Sequence, residues 1–236
     1  GAVVRQVLLS AGAEESQIMA KLQPIATDMH ALGNPWISYS VYLNNSFLPG
    51  LLQLMILLVT VFSIGSEMKR ATSREWLRTA DDSIIIAITG KLIPQTIIFF
   101  SMGLLYLSLL YGYLHFPMHN SIWHMIFAMF LLVVASQSFA VIIMCFAPSL
   151  RIGLSVGGLS IAGFSFPVPA MYLPFQAISY VLPVRHYFLI YVDQALNGIP
   201  LYYSRVHYVA LILFAVASTP LLPRLKKALM RQVYVP

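Results

Sequence analysis

The residues of this 236-residue chain best suited to chemistry lie in one charged run, Ser66-Glu67-Met68-Lys69-Arg70-Ala71-Thr72-Ser73-Arg74-Glu75-Trp76-Leu77-Arg78. Thr72-Ser73-Arg74-Glu75 fits a capping box, in which a Thr hydroxyl accepts from the N3 amide and a Glu carboxylate reaches back to the Thr amide. The pattern predicts a short helix from Thr72, with Trp76, Leu77 and Ala80 as an apolar stripe and Arg74, Arg78 and Asp81 on the opposite side. Such a helix lies along a membrane surface or docks on a partner. A solvated connector carrying ordinary loop charges fits the same residues. Bond-making is a poorer reading, and the chain holds no Gly-x-x-x-x-Gly-Lys-Ser/Thr phosphate loop.

His115, His119 and His124 invite a metal reading. Their spacing crosses a turn with Pro117 and Asn120, and no carboxylate or thiol joins them to make three or four convergent ligands. We expect no metal site, and read them as interfacial histidines. Trp36, Trp123, Tyr106, Tyr111, Tyr113 and Tyr187 are read as an aromatic belt at a membrane interface rather than a binding box.

The elements that must position these residues are apolar. Residues 47–65, 92–114, 122–146 and 206–222 are uncharged stretches of about the length that crosses ~30 Å of hydrocarbon. A fifth, 152–172, is interrupted near its end by Pro167 and Pro169. Backbone groups in lipid find no water, so the spans must be helices. Composition agrees: 59% hydrophobic and 9% charged, with a mean hydropathy of +0.79, where a soluble domain is roughly 25% charged. The expected fold is an all-α polytopic membrane protein. It has five transmembrane helices here, six in a longer parent chain, and a Pro-broken extracytoplasmic hairpin.

The net charge of +6 does not point to nucleic acid, because its distribution follows the spans. Lys69, Arg70, Arg74, Arg78, Lys91, Arg151, Arg224, Lys226, Lys227 and Arg231, ten of the fourteen basic residues, fall on one side. Only Arg5, Lys21, Arg185 and Arg205 fall on the other. Positive-inside bias then places residues 66–91, 147–151 and the C-terminal tail in the cytoplasm, and residues 1–46, 113–121 and 174–205 outside. Asp193 is the one outer acid after the first span, with Arg185 or Arg205 as candidate partners. Cys145, the single cysteine, lies in a span and excludes an internal disulfide. Residues 1–46 carry no signal peptide, and are expected to end an extracytoplasmic domain after an earlier span. Residues 47–236 form the transmembrane domain.

Within the fifth stretch, Gly153, Gly157 and Gly158 give a small-residue face. Gly153-x-x-x-Gly157 is the spacing that lets helix backbones approach. Packing inside the subunit and a border on a transport path are both open. Pro167 and Pro169 then end the helix, and a broken backbone in lipid needs protein or water to satisfy it.

Glu67, Ala71-Thr72, Glu75, Leu77, Thr79 and Gly90-Lys91 resemble the first cytoplasmic loop of the type-2 ABC exporter permeases. Ala71 stands where that family usually has Gly, and Ala80-Asp81 where it commonly has Thr-Pro. A second similarity runs through Pro167, Pro169, Met171, Pro174, Leu182-Pro183-Val184-Arg185-His186-Tyr187 and Leu196-Asn197-Gly198. A third, Asn34-Pro35 with Phe47-Leu48-Pro49-Gly50, lies at the head of the first span here. The resemblance implies a permease subunit, paired as a homodimer or heterodimer, with an ABC ATPase bound on its cytoplasmic face. It implies that ATP and Mg belong to that partner chain, and that Glu67, Arg70, Thr72, Arg74, Glu75, Trp76, Leu77 and Arg78 couple the two. Pro167, Pro169, Met171, Pro174 and Pro183 would form a hairpin at the exit. The expected function is outward movement of an amphipathic or lipid-like substrate (drug, lipid or glycolipid) across the inner membrane. The rivals are an integral membrane enzyme acting on lipid, which the carboxylate-free spans disfavour, and a non-transporting assembly protein.

Overall fold

The computed structural model describes residues 39–159 and 179–231, and among them every regular element is helical. In chain order these are α1 (Tyr39–Lys69), α2 (Ser73–Thr79), α3 (Ile84–Leu107), α4 (Ile122–Phe146), α5 (Leu150–Leu159), α6 (Pro183–Tyr191), α7 (Leu201–Val216) and α8 (Leu222–Arg231). Two of them run on into π-helical turns, α3 through Ser108–Tyr113 and α6 through Val192–Leu196. A 3-10 turn, Thr219–Leu221, joins α7 to α8. Four helical runs among the described residues are long and apolar enough to cross a membrane: Asn44–Lys69, Ile84–Tyr113, Ile122–Phe146 and Leu201–Arg231. The fifth stretch is described only as far as Leu159, and Pro167, Pro169, Met171 and Pro174 lie outside the described residues.

α4 is the hub, packing against α1, α3, α5, α6, α7 and α8. Its sequence explains this: the helix is apolar all round, which suits burial rather than one-sided contact with lipid. It divides the interior into two layers. Near the basic end, Leu57, Val61, Ile64, Leu77, Ile88, Met144, Leu225 and Leu229 close one core. At the other end, Met125, Met129, Leu132, Tyr187, Ile190, Tyr191 and Leu211 close the second. The outward sides of α3 and α7 stay exposed and apolar, as at Ile97, Leu105, Val206 and Leu213.

Several polar groups inside the spans pair with one another across helices, which lowers the cost of placing them in lipid. Pro94 of α3 removes one helical donor, and two residues before it Gln137 of α4 donates to the Leu92 carbonyl at 3.2 Å. The Thr96 hydroxyl lies 2.8 Å from the Gln137 Oε1. Thr60 of α1 donates to Gln95 of α3 at 3.1 Å. Pro49 lies inside α1, and one turn before it the Tyr106 hydroxyl lies 3.2 Å from the Asn44 carbonyl. Pro183 occupies the start of α6, where its missing N–H is no loss. The next amide, Val184, donates to Gln53 of α1 at 2.7 Å, so a side chain from another helix caps α6.

Two boundaries differ from the sequence reading. α3 begins at Ile84, eight residues before the apolar stretch starts at residue 92, because the Lys91 ammonium finds a partner on α1 and the span continues past it. The tail after residue 222 is a helix, α8, whose Leu222, Leu225 and Leu229 are buried at a 3–4 spacing.

Candidate functional site

The charged run folds into α2 and the turns around it. Thr72 sits at the N-cap, but it makes no side-chain cap bond. The capping box is therefore corrected: the Thr72 hydroxyl turns away from the α2 amides and donates to the Glu67 carboxylate at the end of α1. The physical reason is competition, since a carboxylate is a stronger acceptor partner for a hydroxyl than a backbone amide is a donor to it. The Thr72 amide also bonds the Glu67 carbonyl, at 3.0 Å.

Glu67 carries a second partner. Lys91 of α3 donates to its Oε1 at 2.6 Å and to the Ser63 carbonyl at 2.8 Å. The same ammonium lies 4.3 Å from the centre of the Trp76 ring on α2. One lysine thus ties three helices: the carboxylate end of α1, its own α3, and the face of α2. Leu77 is fully buried beneath, in the core that α2 shares with α8. The predicted stripe of Trp76, Leu77 and Ala80 is thus the inward side of α2.

The eight expected coupling residues divide into two sets. Glu67, Thr72, Trp76 and Leu77 turn into the chain, whereas Arg70, Arg74, Glu75 and Arg78 are exposed. Ala71 has φ +60°, the left-handed region that Gly enters at no steric cost. Asp81, at φ +54°, holds a conformation closed to proline, whose ring fixes φ near −65°.

α8 completes this end and was missed from sequence, although its leucine spacing could have revealed it. Arg74 donates to the Met230 carbonyl at 3.3 Å, and Lys226 to the Asp82 carbonyl at 2.6 Å. Arg224 lies over the Phe146 ring. The result is a basic platform in which α2 and α8 brace each other below the spans.

Between α1 and α3 a lateral groove of about 540 Å³ opens on the side of the bundle. Leu48, Leu52, Met55, Val59, Ile98, Phe99 and Met102 line it, with Gln95 and Tyr106 as its polar members.

A model of the ABC-2 family transporter proteins matches residues 2–222, from before the described part to the first residue of α8. The chain belongs to the ABC-2 transporter family. It is a multi-pass membrane subunit of an ABC transporter, a transport component rather than an enzyme. No curated protein and no solved structure matches the chain.

The remaining expected residues of this ABC-2 subunit sit as follows. Gly153 faces the subunit interior: a Cβ there would meet Val61 of α1 at 2.8 Å and Met144 of α4 at 3.0 Å. The surroundings of Gly157 and Gly158 lie outside the described residues. Pro183 starts α6. At the end opposite the platform, the His119 ring donates to the Ala195 carbonyl at 2.9 Å. Asn120 donates to Gln194 and to the Ile199 carbonyl, both at 3.0 Å. Gln194 donates to Ser204, which donates to Asp193 at 3.0 Å. Asp193 therefore meets a hydroxyl, while Arg185 lies over Tyr180 and Arg205 over Tyr202. His186 and His207 stand 3.5 Å apart, Nδ1 to Nδ1, a pairing that the sequence did not signal.

Proposed function

We propose that the chain is the membrane half of an ATP-driven exporter, with α2 as the element through which a separate ATPase subunit moves the spans. The observation that carries this reading is the division of α2. Its inner side is tied to α1 and α3 by Glu67, Lys91, Thr72 and Trp76. Its outer side offers Arg74, Glu75 and Arg78 to water. A push on that outer face would reach two spans through charge-assisted bonds, which are short and directional.

The transported molecule is amphipathic or lipid-like and moves outward. The groove between α1 and α3 supports this class, since its lining is apolar with two polar members and its volume suits a drug-sized or acyl ligand. ATP and Mg belong to the partner ATPase. A second permease subunit, the same or different, completes the transporter, and the exposed apolar sides of α3 and α7 support contact with it or with lipid. The basic platform faces the cytoplasm of a cell whose inner membrane holds the protein, and residues 1–46 lie outside.

The test is co-purification with a candidate ABC ATPase subunit, followed by an ATPase stimulation screen over candidate substrates. Replacing Glu75 and Arg78 together with Ala should leave insertion intact, because both are exposed. Binding of the ATPase should weaken by ~1–3 kcal/mol if the pair is partly desolvated in the complex. Export should fall. A double variant that binds the ATPase and exports at the normal rate would remove α2 from this role.

A further inference from the structure

We propose that α8 is a docking site for an anionic phospholipid headgroup, held in the groove along its outer side. This goes beyond the transport reading and needs only that the chain spans a membrane. The groove, of about 410 Å³, is lined by Pro223, Lys226, Lys227, Met230 and Arg231. α8 carries no acid at all. Lys226 is engaged by the Asp82 carbonyl. Lys227 and Arg231 are exposed and have no acid partner among the described residues. Two uncommitted cations therefore share one open side of α8.

Depth argues for lipid over a protein partner. α7 runs into α8 through the single 3-10 turn Thr219–Leu221, so these cations occupy the platform end of the last helical run, Leu201–Arg231. Arg224 lies 4.7 Å over the ring of Phe146, the last residue of α4, which pins α8 at the level where the spans end. Exposed Met230 lies beside Lys227 and Arg231, and exposed Phe146 lies beside Arg224. Cations beside exposed apolar side chains at the foot of a span match a lipid, which brings a phosphate and hydrocarbon together. A basic helix just cytoplasmic of a span attracts anionic lipid, each Lys or Arg near the surface contributing roughly fivefold in affinity.

The test uses the full chain purified in detergent, with bound lipid counted by native mass spectrometry. Phosphatidylglycerol and phosphatidylcholine of equal chain length are the probes. The wild type should retain phosphatidylglycerol preferentially. Lys227→Gln with Arg231→Gln should weaken that binding about 10–30-fold and leave phosphatidylcholine unchanged. Inorganic phosphate at matched concentration should not displace the lipid. Equal retention of the two lipids would overturn the proposal, as would a double variant that keeps the full preference. Normal lipid binding by the variant, with weakened binding of the ATPase, would reassign the groove to the protein partner.

Discussion

Lys91→Met cuts one atom cluster out of the joint between α1, α2 and α3. The ammonium sits 2.6 Å from Glu67 and 2.8 Å from the Ser63 carbonyl, and the two charged side chains are only 20% and 23% exposed. At 2.6 Å and an effective dielectric of about 20, the attraction is about 6 kcal/mol before desolvation. Most of that is offset by taking both charges partly out of water. What remains is a charge-assisted hydrogen bond of about 1.5–3 kcal/mol, and the ammonium over Trp76 adds about 0.5–1 kcal/mol. The Met side chain keeps the aliphatic stem, so the loss is electrostatic, about 3 kcal/mol in all. For a chain of this size that lowers Tm by about 6–12 °C. The assay is thermal unfolding in detergent across a cycle of Lys91→Met, Glu67→Gln and the double variant. The coupling should exceed about 1 kcal/mol, because each partner loses its value once the other is gone. With Trp36 and Trp123 replaced by Phe, Trp76 emission should move to longer wavelength in Lys91→Met as α2 loosens. Additivity within about 0.5 kcal/mol, with unchanged Trp76 emission, would show that the pair does not hold α2.

Four further expectations concern individual positions. Ala71→Gly should stabilise the chain by about 0.5–1 kcal/mol, since it removes a Cβ from a left-handed turn, whereas Gly198→Ala, at φ +60° with a Cβ 2.9 Å from that of His119, should lower Tm measurably. Single cysteines at Thr79 and Asn197, both exposed, should report opposite sides to an impermeant thiol reagent in intact cells; labelling at Thr79 alone would invert the orientation. Burial holds the His186 pKa below its ordinary value, with His207 and Arg185 adding to the effect against a bond to the Tyr180 carbonyl. The unfolded chain then binds the extra proton more readily, so stability is complete above about pH 6.5 and declines as pH falls below it. His186→Gln should flatten that decline in unfolding curves measured between about pH 7 and pH 5.

Four spans were legible because hydrocarbon imposes length and composition on them, and these four follow in the expected order; the expected fifth, 152–172, lies largely outside the described residues. Their ends were less so. Lys91 looked like a terminus because a charge usually marks one, and only the distant Glu67 shows why α3 can run through it. Thr72 and Glu75 carried a local capping pattern, but a carboxylate five residues upstream won the hydroxyl. The sequence pointed to Trp76, Leu77 and Ala80 as one side of α2, since a helical period needs no partner to be seen. It could not say that α8 is what they meet, nor that His186 would face His207, because those meetings depend on how α4 gathers the other helices. The split of the coupling residues into buried and exposed sets belongs to the same class of tertiary information.

The π-helical turns at Ser108–Tyr113 and Val192–Leu196 have a consequence for how the ends opposite the platform can change length. In each, an amide bonds the carbonyl five residues back, Leu114 to Leu109 and Asn197 to Val192. Such a turn stores one residue more than the α-helix needs, so the chain can give that residue up without breaking the helix beneath it. Deleting one residue from either turn should therefore convert it to ordinary helix and leave the spans in register. The same deletion in the middle of α4 would rotate half of the hub by about 100° and misalign every neighbour. Among the described residues these two turns are places where the bundle can gain or lose a residue, and homologous chains that differ by one residue at that end would be expected to differ there.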